Sequence, residues 1–111
     1  MRDAGPVVGK SGTRSLSFAR RFEQDLERVE AWYLKTADQR VADEAVDAII
    51  AQAETITRLG LHFRPGNKST REYPLPRYPF LLIYRIDPHE VRMLRVINAR
   101  GAYLNQRANR I

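Results

Sequence analysis

The hydrophobic period of this chain changes at Gly60, and that change limits the folds open to it. Before Gly60 the apolar residues recur at helical spacing; beyond it they come in short runs broken by prolines. Phe22, Leu26, Val29 and Tyr33 step by four, three and four, one stripe of an amphipathic helix over residues 20–36. Glu23, Asp25 and Glu27 fall in its early turns, where the helix dipole favours negative charge. Asp38 is placed to cap a second helix that runs to about Leu59. Ala42, Ala45, Val46, Ile49, Ile50, Ala53 and Ile56 supply its buried face, and Gly60 ends it. So short a connection predicts an antiparallel helical hairpin.

Residues 61–69, LHFRPGNKS, read as a loop. Strands are expected over Thr70–Leu75, Phe80–Ile86 and Glu90–Asn98, the last two joined by a turn through Asp87 and Pro88. Pro74 and Pro76 cannot donate to a ladder, so they place the first of these strands at an edge, and Pro79 belongs to the turn before Phe80. Ahead of the helices, RSLSFA offers a short strand with Leu16 and Phe18 on one face. The expected class is α+β: a short N-terminal strand, an antiparallel helical hairpin, then a three-stranded antiparallel meander. Residues 1–13 read as a flexible N-terminal arm, 14–104 as a single domain, and 105–111 as a C-terminal tail.

Setting Ile86 opposite Val91 predicts Arg85 opposite Arg92, Ile83 opposite Leu94 and Leu81 opposite Val96. One face then carries Leu81, Ile83, Leu94 and Val96, with Arg85, Arg92 and Asn98 at its ends. The other carries Phe80, Leu82, Tyr84, Ile86, Val91, Met93 and Ile97, interrupted by Arg95. The larger residues suit the helix-covered core. Arg95 then snorkels or caps near a helix end. The first face is expected to be an exposed apolar patch rimmed by arginines, the kind of surface that marks a partner site.

Charge sharpens that expectation. Residues 61–111 hold ten Lys/Arg against three Asp/Glu, a net +7, while residues 1–60 hold nine against ten, a net −1. A basic half suits nucleic acid or an acidic protein partner. There is no cysteine, hence no disulfide framework and no thiolate metal site. His62 and His89 are expected in exposed loops, without the paired carboxylates a metal site needs. No apolar run is long enough to cross a membrane and no signal-peptide core precedes the domain, so a cytoplasmic protein is expected.

The ordered set LERVEAWYL, the Ala-rich second helix, TREYPLPRYPFLLIYRI and VRMLRVINAR resembles the RelE/ParE superfamily of bacterial type II toxins. The resemblance covers roughly residues 14–104. It implies a small toxin held inactive in a hetero-oligomer by a cognate acidic antitoxin, ParD-like or RelB-like; no cofactor is expected. RelE-like members cut messenger RNA in the ribosomal A site; ParE-like members are described as binding toxins that inhibit DNA gyrase.

Two positions separate the branches. RelE-like chains commonly carry Arg-Leu-Val-Tyr in the central strand, where this chain has Leu81-Leu82-Ile83-Tyr84, and leucine neither binds phosphate nor donates a proton. ParE-like chains often close with Arg-Val-Leu-His, where this one reads Arg95-Val96-Ile97-Asn98, and asparagine has no titratable proton. Both departures favour a ParE-like binding toxin, with Lys68, Arg71, Arg85, Asn98 and Arg100 expected to meet the target. Leu81, Ile83, Leu94 and Val96 are expected to meet the antitoxin. The alternative is a ribosome-dependent mRNA endonuclease using Arg71, Arg85, Arg100 and Tyr103 as its cations and acid.

Overall fold

A computed structural model of the chain describes residues 7–8, 14–62, 65–66 and 69–99. Strand β1 (Val7–Val8) and strand β2 (Arg14–Phe18) precede helices α1 (Arg20–Thr36) and α2 (Gln39–Leu59). Strands β3 (Arg71–Pro74), β4 (Phe80–Ile86) and β5 (Glu90–Asn98) follow. The expected strand–helix–helix–meander plan is the plan observed, with the two-residue β1 added inside the stretch 1–13 expected to be a flexible arm.

Helix α2 begins and ends where its local chemistry dictates. The Asp38 carboxylate accepts from the Val41 N–H at 3.0 Å, satisfying a free donor at the start of α2. Gly60 terminates α2 with φ 63° and ψ 44°, and the next N–H, from Leu61, returns to the Ile56 carbonyl at 3.1 Å.

The strands form one sheet in the order β1-β2-β5-β4-β3. Only β2 and β5 run parallel, with Leu16 beside Val91 and Phe18 beside Met93. The short N-terminal strand thus extends the meander on its β5 side, and Val7–Val8 adds an antiparallel pair beyond it. The proline-bearing strand β3 lies at the opposite edge, as its missing donors require.

The core lies between the helical hairpin and one face of this sheet. Phe22 and Val29 of α1 and Ala45, Ile49, Ala53 and Ile56 of α2 meet Leu16, Leu82, Tyr84, Val91, Met93 and Val96. Tyr84 is fully buried, and its hydroxyl donates to the Leu61 carbonyl at 2.7 Å, so its polar end is satisfied where α2 ends.

Candidate functional site

The face of β4 and β5 turned away from the helices is where a partner surface is expected, and a β-bulge reshapes it. Ile86 pairs with Val91, Arg85 with Arg92 and Tyr84 with Met93, as the turn predicts. The register then shifts: Ile83 pairs with Arg95, Leu82 with Val96, Leu81 with Ile97 and Phe80 with Asn98. Leu94 is the extra residue, and the expected pairs Ile83–Leu94 and Leu81–Val96 do not form.

The cause lies in α1. The β2–β5 pairing stops at Phe18 and Met93, because the chain turns into α1 after Ala19. Beyond that point the edge of β5 has no neighbouring strand among the described residues, and α1 lies against it. The Asp25 carboxylate, 2% exposed, accepts from the Val96 N–H at 2.9 Å and from Arg95 Nε at 2.7 Å. Arg28 adds a contact to the same carboxylate at 2.6 Å. A buried acid on a helix therefore holds the bulge in place of a strand. Arg95, in register with Ile83, belongs to the outer face rather than to the helix-facing side expected for it, and its guanidinium reaches Asp25 of α1 at the edge of β5.

The bulge moves Val96 into the core at 5% exposure, which corrects its expected place on the outer face. Leu81 is itself buried at 5%, while Ile83, Leu94 and Ile97 are half-buried. The expected open apolar patch is thus a largely covered surface, with Ile83 its most central accessible aliphatic side chain. The large apolar residues that are exposed among the described residues lie elsewhere: Trp32, Leu34 and Leu59, on the helices. Trp32 packs edge-on against Tyr33 (centroids 4.7 Å apart), and Tyr33 meets Tyr78 and Phe80 in the same manner. Burial, with a smaller contribution from Tyr78, raises the Tyr33 pKa. The sequence stripe identified Tyr33 but passed over Trp32, which stands one position off it.

At the other end of the hairpin Arg85 and Arg92 stand directly opposite one another, both exposed. Like charges in such a pair repel. Arg92 donates to the Ser17 hydroxyl at 3.0 Å, and Arg85 makes no hydrogen bond or ion pair among the described residues. The turn beside them is held by Asp87, whose carboxylate accepts from the His89 and Glu90 N–H groups, each at 2.7 Å. Those two bonds, above all, hold its pKa below the usual carboxylate range.

Arg71 pairs with Tyr84 and so shares the face on which Tyr84 points, opposite to that of Arg85. Asn98 is exposed at the far end of the β4–β5 ladder from Arg85. Lys68, Arg100 and Tyr103 lie outside the described residues. The structure therefore separates Arg71, Arg85 and Asn98 rather than converging them. His62 and His89 are exposed, and no cluster of three or more His, Cys, Asp or Glu among the described residues is placed to hold a metal ion. No helix among them is long and apolar enough to cross a membrane.

The family described as the ParE toxin of the type II toxin–antitoxin system, parDE, matches residues 16–103. A solved structure of the chromosomal ParDE toxin–antitoxin system from P. aeruginosa contains a chain of similar fold, with a TM-score of 0.71 and 25% identity. The match covers 77% of this chain and 95% of that one. No curated protein matches.

Proposed function

Since the chain belongs to the ParE toxin family of type II toxin–antitoxin systems, we propose that it acts by binding DNA gyrase and inhibiting it, and that a cognate acidic antitoxin neutralises it. The observation that carries binding over RNA cleavage is the placement of Arg71 and Arg85 on opposite faces of the sheet. Metal-free RNA cleavage needs cations and an acid gathered around one phosphate. Leu81 stands where a nuclease of the wider superfamily carries its strand arginine, and it is buried.

The proposed target contacts are Arg85 at the outer sheet face, Arg71 at the β3 edge and Asn98 at the end of β5, with Lys68 and Arg100 from the segments beside them. The antitoxin would lie along the outer face over Ile83, Leu94 and the Leu81 rim, an acidic segment ordering against a half-apolar, arginine-flanked surface. Val96, being in the core, is no longer among its contacts.

The test is supercoiling of relaxed plasmid by gyrase with the purified toxin, beside a translation-coupled mRNA cleavage assay on the same preparation. Loss of supercoiling with intact mRNA is expected, reversed by adding the antitoxin. Cut mRNA with normal supercoiling would overturn the binding reading and return the arginine–tyrosine set to a catalytic role.

A further inference from the structure

Two features of the molecule are charged, accessible and without an ion-pair partner among the described residues. The first is a groove of about 270 Å3 on the solvent side of the helical hairpin, lined by Leu26, Glu27, Glu30, Asp43, Val46 and Asp47. Its floor is apolar and its walls carry carboxylates alone. Glu27, Glu30 and Asp47 have no ion-pair partner among the described residues, and Asp43 is engaged by the neutral Gln39 amide at 2.8 Å. Glu27 and Glu30, and likewise Asp43 and Asp47, sit one helical turn apart, where like charges destabilise a helix. Leu34, 45% exposed, follows Glu30 by one turn and extends the apolar stripe toward the hairpin tip. Leu26 and Val46 at the floor are partly buried against the core, but the carboxylates above them do not stabilise the hairpin.

The second feature is the Arg85–Arg92 pair, exposed and mutually repelling, with Arg85 unpaired among the described residues. It lies on the face of the sheet that the helices do not cover, whereas the groove lies on the outside of the helices. The two therefore sit on opposite sides of the molecule and cannot neutralise each other within one chain. An acidic antitoxin would be repelled from the groove, so its occupant must be basic.

We propose that the groove of one molecule receives the Arg85–Arg92 face of a second copy, a heterologous head-to-tail contact. Each guanidinium gains carboxylates in place of a like charge, and the Leu26–Val46 floor takes the aliphatic stems of the arginines. Because the two patches differ and face opposite ways, the contact does not close as an isologous dimer does; association continues to longer chains as concentration rises.

Analytical ultracentrifugation of the full chain tests this at about 0.01 M and about 1 M salt, where the screening length falls from roughly 30 Å to roughly 3 Å. Concentration-dependent association at low salt, lost at high salt, is expected. Arg85→Glu and Asp47→Arg, both exposed, should each weaken it about tenfold or more, and the double variant should regain much of that loss. A strictly monomeric chain at low salt would overturn the proposal and assign the groove to another basic partner. Association indifferent to both charge reversals, or a double variant no better than either single one, would overturn it equally.

Discussion

The side chain of Asp25 stands in for a missing strand at Val96. Its Oδ2 accepts the Val96 N–H at 2.9 Å, on the stretch of β5 that β2 no longer reaches, and the same carboxylate holds Arg95. The contact joins residues far apart in sequence, and it sets which β5 side chains enter the core beyond the bulge. Asp25 is thus the residue that fixes the shape of the outer face.

Replacing Asp25 with alanine leaves a buried N–H without an acceptor and releases Arg95. The expected destabilisation is about 1–3 kcal/mol, since one unsatisfied buried donor dominates and Arg95 retains access to water. Asp25→Asn keeps an oxygen for Val96 but loses the charge, and should lie between the alanine variant and the natural chain. Urea unfolding midpoints at constant slope check the order; equal midpoints for all three would show that the carboxylate does not hold the bulge.

Gly60 carries a second local constraint. Its φ of 63° disfavours any side chain, and an added Cβ would sit 2.7 Å from Arg14 Nη1. That guanidinium donates through Nε to the Asp87 carbonyl at 2.7 Å, linking the end of α2 to the β4–β5 turn. Gly60→Ala should cost about 1–2 kcal/mol, from left-handed backbone strain and the displaced arginine. Thermal unfolding reads the loss, and an Arg14→Ala background should reduce it.

Asp87 gives the turn a pH dependence. Its pKa is depressed in the folded chain by the His89 and Glu90 N–H groups, so ionised Asp87 stabilises the fold above the ordinary carboxylate range. That contribution fades as pH falls through the lowered value, where the carboxylate takes up its proton even when folded. Asp87→Asn should therefore be less stable than the natural chain at neutral pH, with the gap closing in acid. Unfolding midpoints measured across that range decide it; a constant gap would mean that the charge contributes nothing.

The parts legible in sequence are those governed by neighbours along the chain. Asp38 and Gly60 announced the limits of α2 because caps act within one turn, and the prolines placed β3 at an edge because a missing donor is local. The first half of the β4–β5 pairing followed from its turn. What the sequence did not reveal depends on contacts between distant elements. Asp25 looks like any acid in an early helical turn, and only the packing of α1 on β5 exposes its role. The bulge, the burial of Val96 and the separation of Arg71 from Arg85 all lie beyond that horizon, which is why the fold was readable and the site only in part.

Ile83 tests the proposed antitoxin surface. It remains half-buried at the middle of β4 on the outer face, beside the bulge. If the antitoxin covers it, Ile83→Ala should weaken the complex by about 1–2 kcal/mol, and Ile83→Asp by more, because an acid there meets an acidic partner. Calorimetric titration against the antitoxin gives the affinities, with unfolding of each free variant as the control. Unchanged affinity for both variants would move the antitoxin off this face.

Arg85 separates stability from function. Facing Arg92 with no acid between them, it costs the hairpin energy, so Arg85→Ala should leave the fold as stable as before or up to about 1 kcal/mol more so. A residue that mattered only for packing would show the reverse. Under the binding reading the same variant should lose gyrase inhibition, because it removes an exposed cation that the target would otherwise meet. The two readouts are a chemical unfolding curve and a supercoiling titration on one preparation. Preserved stability with weakened inhibition would identify Arg85 as a contact held at the fold's expense; preserved inhibition would move the target surface to Arg71 and the β3 edge.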